Sequence, residues 1–64
     1  MKVMVTMSCD WNFNEIREYK DLNECCKALL TTENFYGSKP ELVVSFTDNE
    51  ECEYEVEIYN SYRE

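Results

Sequence analysis

The 64-residue sequence contains no histidine, one glycine and one proline, and its six basic residues are outnumbered by 14 acidic ones. Without histidine, the chain lacks the side chain that most often serves as a general base and as a metal ligand. It also lacks a glycine-rich phosphate loop, a Walker motif and a G-x-S-x-G nucleophile elbow. These absences argue against enzymatic activity and against a bound cofactor.

Long apolar segments are missing too. No run approaches the roughly 20 residues of a membrane-spanning helix, and no apolar N-terminal stretch precedes a cleavage site. The hydrophobic fraction of 44% is nevertheless too high for a disordered acidic tail. A chain this short buries only about 60% of its unfolded surface. We therefore expect one small, soluble domain over residues 1–64, located in the cytoplasm and without a membrane partner.

The four cysteines show no pattern typical of disulfides or zinc. Cys25 and Cys26 are adjacent, and adjacent residues on a helix point about 100° apart. No pair has C-x-x-C spacing, and the Asp48–Glu51 segment lacks the ligands and the central glycine of a calcium loop. We expect no metal site and four free, mostly buried thiols, as is usual in a reducing cytosol. The two cysteines outside the adjacent pair are Cys9 and Cys52.

The acidic residues are concentrated in the last third of the chain. Residues 1–40 carry six acids and five bases, a net charge of −1, whereas residues 41–62 carry seven acids and no base, a net charge of −7. Arg63 and Glu64 cancel, which leaves the total at −8. Such a field repels nucleic acid and anionic membranes, and it attracts basic surfaces over about a Debye length, roughly 10 Å. We therefore expect no direct binding to DNA or RNA.

The first 20 residues contain one clear strand and one ambiguous segment. Lys2–Ser8 alternates with period two and predicts a strand, whereas the turn formers of Asp10–Asn14 predict a turn. Glu15–Tyr19 fits a strand that pairs with the first one, which gives ββαββ. It also fits an extension of the following helix, which gives βαββ. The helix-capping signal at Asp21 favours the strand.

The clearest helix begins after Asp21. Asp21 as N-cap and Glu24 three residues later form a pair that resembles a capping box. Behind them, apolar residues recur at the spacing of one helix face. These residues are Leu22, Cys25, Cys26, Leu29 and Leu30. The Asn, Gly and Pro of Asn34–Pro40 predict the end of the helix.

Two further strands predict a hairpin around a turn at Asp48–Glu51. In the first strand the apolar residues alternate with polar ones. They are Leu42, Val44 and Phe46. The second strand, residues 52–59, alternates strictly. One of its faces carries Cys52, Tyr54, Val56 and Ile58, and the other carries Glu53, Glu55, Glu57 and Tyr59. The pattern predicts an α+β fold, a small antiparallel sheet with one helix packed across one face.

The glutamates of the last strand are the best candidates for a binding site. Glu53, Glu55 and Glu57 repeat at about 6.8 Å along one strand face, with Tyr59 beside them. A phosphate backbone is also a row of negative charge, so a groove built of Lys and Arg would accept either. The residues that would widen the row are Glu41 and Glu50 or Glu51. The alternative is that these acids block edge aggregation or favour solubility.

Several aromatic residues fall in predicted turns. They are Trp11, Phe13, Phe35 and Tyr36. Exposed aromatic residues are enriched at binding hot spots, but large rings also close the ends of small cores. We expect the core role for Trp11, Phe13 and Phe35.

The small size, the acidity and the Glu53–Glu57 row resemble a functional class rather than a sequence family. Tiny acidic α+β proteins without catalytic residues look like phage-encoded inhibitors of host defence and nucleic-acid enzymes, including anti-CRISPR proteins, several of which mimic DNA. The resemblance implies an inhibitor that binds a basic surface of a nucleic-acid-binding enzyme in the host cytoplasm. It includes no family motif, so it assigns no residue.

Two other functions fit the same sequence. A homo-oligomeric or adaptor module, such as a homodimer, would pair an exposed sheet edge or an aromatic loop, and its acids would serve solubility. Such a complex would be insensitive to salt and sensitive to changes at Trp11, Val43 or Tyr36. An antitoxin of a small basic toxin would share the electrostatics of the inhibitor and differ only in its partner.

Overall fold

The computed structural model describes residues 1–32 and 40–59. Within these ranges the chain forms four strands and one helix. In chain order they are β1 (Lys2–Met7), β2 (Asp10–Glu18), α1 (Leu22–Thr32), β3 (Glu41–Phe46) and β4 (Tyr54–Tyr59). The order is ββαββ, so the prediction of a strand for Glu15–Tyr19 is confirmed up to Glu18.

The four strands form one mixed sheet in the order β2-β1-β4-β3. The pairs β1–β2 and β3–β4 are antiparallel, whereas β1 and β4 are parallel, with Val5 opposite Val56. The α+β class with one helix is confirmed, and the sheet differs from the expected antiparallel one in this central pair. The reason is burial: Val56 and Ile58 of β4 are fully buried, whereas β3 leaves Val44 exposed. Strand β4, whose alternate residues Val56 and Ile58 both belong to the core, therefore lies beside β1.

The predicted turn at Asp10–Asn14 is wrong, because these residues belong to β2. The turn lies at Ser8–Cys9, and the register of β1 and β2 shifts between Thr6 and Met7. Asp10 still acts as a turn former locally, since its carboxylate accepts a hydrogen bond from the Asn12 N–H at 3.2 Å. The turn-forming residues thus accommodate an irregularity in the strand rather than a reversal of the chain.

The core lies between α1 and the two central strands. Its fully or nearly fully buried members are Val3, Val5, Met7, Cys25, Leu29, Val56 and Ile58. Of the predicted helix stripe, Cys25 and Leu29 are buried, Leu22 and Cys26 are half-buried, and Leu30 is exposed. The buried side of the helix is therefore narrower than its apolar stripe.

The predicted N-cap of α1 is confirmed by its hydrogen bonds. The Glu24 N–H donates to Asp21 Oδ1 at 2.8 Å, and the Glu24 carboxylate accepts from the Lys20 N–H. In a standard capping box the carboxylate returns to the N-cap residue itself, whereas here it bonds one residue earlier. The predicted helix end at Asn34–Pro40 lies outside the described residues, except for the buried Pro40.

The predicted turn between β3 and β4 is also confirmed. The Cys52 N–H donates to the Asn49 carbonyl at 3.3 Å and closes the turn. The Asn49 side chain in turn accepts from the Glu51 N–H at 2.8 Å. Strand β4 begins at Tyr54, two residues later than the alternation indicates, because residues 50–52 complete this turn and residue 53 forms a bend.

Replacing Asp21 tests the N-cap. Asp21→Ala removes the acceptor for the Glu24 N–H, and we expect it to lower the free energy of unfolding by about 1 kcal/mol. Asp21→Asn keeps an acceptor oxygen and should stay within a few tenths of the unmodified protein. Urea denaturation followed by circular dichroism measures both. Equal stability of the two variants would contradict the capping role.

Candidate acidic interface

One face of the sheet is covered by α1, and no other element within residues 1–32 and 40–59 covers the opposite face, which we call the open face. In β4, Val56 and Ile58 point into the core, whereas Glu55, Glu57 and Tyr59 point to the open face. Glu55 and Glu57 are half-buried, and Tyr59 is 45% exposed. The alternation predicted for this strand is therefore confirmed, and the two carboxylates share one face of a rigid strand.

Glu55 and Glu57 lie in the middle of the open face rather than at its edge. On the β3 side, Ser45 is opposite Glu55 and Val43 is opposite Glu57. On the β1 side their partners are Met4 and Thr6. Each carboxylate therefore has uncharged neighbours directly across both adjacent strands.

The other predicted site residues extend this arrangement in two directions. Glu41 lies opposite Tyr59 at one end of the β3–β4 pair. Glu53 is exposed just before β4, and its N–H donates to the Lys2 carbonyl at 3.2 Å. We call Glu41, Glu53, Glu55, Glu57 and Tyr59 the acidic face. Exposed Glu50 and Glu51 lie in the turn at the opposite end of the hairpin from Glu41, so they do not widen the row between the strands.

The carboxylates of the acidic face have no basic partner among residues 1–32 and 40–59. The ion pair there joins Arg17 to Glu15 at 2.7 Å, two residues apart on the same face of β2. Lys2, the basic residue of β1, lies opposite Glu18. Within these residues Lys2 is the basic residue beside Glu53 on the open face, and it forms no ion pair with the acidic face.

The aromatic residues divide between core and surface differently from the prediction. Phe13 packs against the core as expected, and the Arg17 guanidinium lies 5.7 Å from its ring centre. Trp11 is 89% exposed, so its predicted core role is wrong: it lies near the start of edge strand β2, beyond the area that α1 covers. Phe35 and Tyr36 lie outside the described residues.

Phe46 is an exposed surface residue, although it belongs to the apolar alternation of Leu42 and Val44 along β3. It is 85% exposed, and its ring stacks on Tyr54 with the ring centres 5.3 Å apart. A helix is about 10 Å wide and strands lie about 4.8 Å apart, so one helix covers about two of four strands. The sequence predicts one helix and up to four strands, so this comparison of widths would have identified an uncovered edge strand.

None of the four cysteines forms a disulfide, and they differ in exposure: Cys25 and Cys52 are buried, Cys26 is half-buried and Cys9 is exposed. Burial raises the pKa of the Cys25 thiol from 9.0 to about 11, the neighbouring Cys26 adds to the increase, and Arg17 opposes it. Because the pKa is raised in the folded state, folding favours the protonated thiol. This contribution to stability is lost as the pH rises from about 9 through 11.

Comparisons with protein-family models, with curated proteins and with solved structures give no match. Within the two described ranges, no helix is long and apolar enough to cross a membrane. In the same ranges, no three His, Cys, Asp or Glu side chains come together in a way that could hold a metal ion.

Alkylation tests the difference between the thiols. At pH 8 we expect iodoacetamide to label Cys9 first and Cys25 last, because the thiolate is the reactive form and a thiol with a pKa of about 11 is only about 0.1% ionised. Peptide mass spectrometry measures each rate, and protein unfolded in urea serves as the control with similar rates at all four sites. Equal rates for Cys9 and Cys25 in folded protein would contradict the structure.

Proposed function

We propose that the protein is an inhibitor, encoded by a phage or mobile element, that binds the basic nucleic-acid-binding surface of a host defence or DNA/RNA-processing enzyme, as anti-CRISPR proteins do. In this proposal it acts in the host cytoplasm, and its acidic face takes the place of phosphates. The observation that carries the proposal is the position of Glu55 and Glu57 at the centre of the open sheet face, with uncharged residues opposite them on both sides.

The surroundings of these two carboxylates favour strong pairing with a basic partner. Both are half-buried, and the apolar side chains of Met4 and Val43 lie beside them. A charge next to apolar groups is screened less by water than a fully exposed one, so its attraction to an incoming Lys or Arg is larger. An approaching basic surface also relieves the repulsion between the two glutamates.

The position of β4 argues against a role in blocking aggregation. Charges serve that purpose on edge strands, whose free backbone groups can pair with another chain. Strand β4 lies between β1 and β3, and its backbone is paired on both sides. Its glutamates therefore do not protect an edge.

The rigidity of β4 supports recognition of a fixed array of positive charges. Pairing on both sides holds Glu55 and Glu57 at a constant spacing of about 6.8 Å. Such pre-organisation reduces the entropy lost on binding. A groove of Lys and Arg residues that follows a phosphate backbone fits this row, whereas nucleic acid itself is repelled by it.

The exposed Trp11 favours a second candidate function, an oligomeric or adaptor module. An indole that is 89% exposed near a sheet edge is of the residue type most enriched at protein–protein hot spots. An interface of this kind would depend on apolar contact and would resist salt, whereas binding through the acidic face weakens as salt increases. An antitoxin of a basic toxin would share the salt dependence and differ only in its partner.

Neutralising the central glutamates tests the proposal. The protein is used to capture enzymes from bacterial lysate, and captured proteins are released by salt or by added DNA or RNA. For an enzyme released in this way, we expect Glu55→Gln with Glu57→Gln to weaken binding at least about tenfold, because truncating one partner of a close charge pair costs about 2 kcal/mol or more.

The matched control is Glu50→Gln with Glu51→Gln, which removes the same charge from the exposed turn between β3 and β4 and should leave affinity within about twofold. Equal losses in the two double variants would indicate a response to net charge alone. Undiminished binding of the Glu55/Glu57 variant would exclude mimicry by this strand. Capture that resists both salt and nucleic acid would favour the adaptor function.

The same substitutions, which should weaken binding, are expected to stabilise the fold. Glu55 and Glu57 are like charges on one strand face, so replacing both with Gln should raise the free energy of unfolding by about 0.5 kcal/mol at low salt. The gain should shrink in 1 M sodium chloride, where the repulsion is screened. Urea denaturation at the two salt concentrations measures it, and a loss of stability would show that the carboxylates support the fold.

A further inference from the structure

The two edges of the sheet differ in how they are protected. Edge strand β2 runs over nine residues, contains the Arg17–Glu15 ion pair and pairs with β1 through a register shift. Charges and irregularities of this kind discourage pairing with another chain. Edge strand β3 pairs with β4 in an unbroken register from Glu41 to Phe46, and Glu41 is its one charged residue.

Apolar side chains are exposed on both faces of β3. Val43 is 46% exposed on the open face, and on the helix side Val44 is 41% and Phe46 85% exposed. The reason is that the buried residues of α1 pack over β1 and β4. Alternate residues of an edge strand also direct their N–H and C=O groups away from the sheet. Strand β3 therefore offers hydrogen-bonding groups together with apolar surface above and below them.

We infer that β3 receives an extended segment of the partner protein as a fifth strand, in which basic and apolar residues alternate. The basic side chains lie on the open face, towards Glu55 and Glu57, and the apolar ones lie on the helix side, against Val44 and Phe46. The inference rests on the proposed function for the basic character of the partner. The pairing along the edge depends on the backbone and the exposed apolar side chains of β3 alone.

The distances fit this arrangement. An added strand lies about 4.8 Å from β3 and about 9.6 Å from β4. The residues of β3 opposite Glu55 and Glu57 are Ser45 and Val43, whose short side chains leave the path to the carboxylates open. A Lys or Arg stem can lie across Val43 while its charged end reaches towards Glu57.

A second copy of this chain is a poor occupant of the same edge. Its net charge is −8, and pairing of two β3 strands would place two acidic faces side by side. Strand β3 supplies Glu41, Val43 and Ser45 to the open face, and none of these is basic. The charge of the open face therefore selects a basic segment of a different protein.

A tethered probe tests the inference on the 64-residue chain. The protein is extended after Glu64 by a flexible Gly/Ser linker of about 12 residues, which spans about 20 Å, and by the segment Lys-Val-Lys-Val-Lys-Val. The linker gives the segment a millimolar effective concentration at the edge. The control carries the same six residues in blocks, Lys-Lys-Lys-Val-Val-Val, so its charge and composition are identical.

The readout is amide hydrogen exchange by NMR. We expect the β3 amides that exchange fast in the unmodified protein to slow at least about tenfold with the alternating segment and to stay unchanged with the block segment. The β3 amides already bonded to β4 serve as an internal reference. Adding Phe46→Ser should reduce the protection, since it removes apolar contact on the helix side.

Unchanged exchange with the alternating segment, or equal protection by both segments, would overturn strand addition at β3. Either result leaves the competition with nucleic acid untouched, so the proposed inhibitor function stands or fails separately. Protection by the alternating segment that survives Glu55→Gln with Glu57→Gln would establish the edge as a docking strand and refute the role of these two carboxylates in it.

Discussion

The parallel pairing of β1 with β4 decides the arrangement of the rest of the protein. Val5 and Val56 lie opposite each other in this pair, both are fully buried, and the equally buried Leu29 of α1 belongs to the same core. Because each hairpin contributes one strand to this pair, its other strand becomes an edge. A single helix about 10 Å wide can cover the central pair but not the edges. The exposed side chains of β3 therefore follow from the way in which the core is closed.

The same pairing places the acidic residues. Because side chains alternate across a strand, the strand that contributes Val56 and Ile58 to the core must present Glu55 and Glu57 on the opposite face. Repulsion between like charges would tend to fray an edge strand, but β4 is held by backbone pairing on both sides. The strand that contributes most to the core of the second hairpin can therefore also carry its most closely spaced charges.

Local patterns in the sequence were enough to predict the helix cap at Asp21, the faces of β4 and the ββαββ order. Each of these depends on residues close together in the chain. The parallel central pair and the exposure of Trp11 and Phe46 were not predicted, because they depend on which strands meet and on how far one helix extends. At Asp10–Asn14 the turn-forming residues led to a wrong prediction, because pairing with β1 draws them into a strand. The uncharged neighbours of Glu55 and Glu57 likewise became visible only with the strand register.

Solubility alone does not explain where the acids lie. Exposed positions such as those of Glu50 and Glu51 in the turn supply negative charge at little cost, because these side chains lie at the surface, in contact with water. Glu55 is half-buried between Met4 and Ser45, where a carboxylate loses part of its hydration. A domain of 64 residues has little stability to spare. Carboxylates at a fixed spacing on an interior strand fit the proposed binding to positive charge better than a general need for a charged surface.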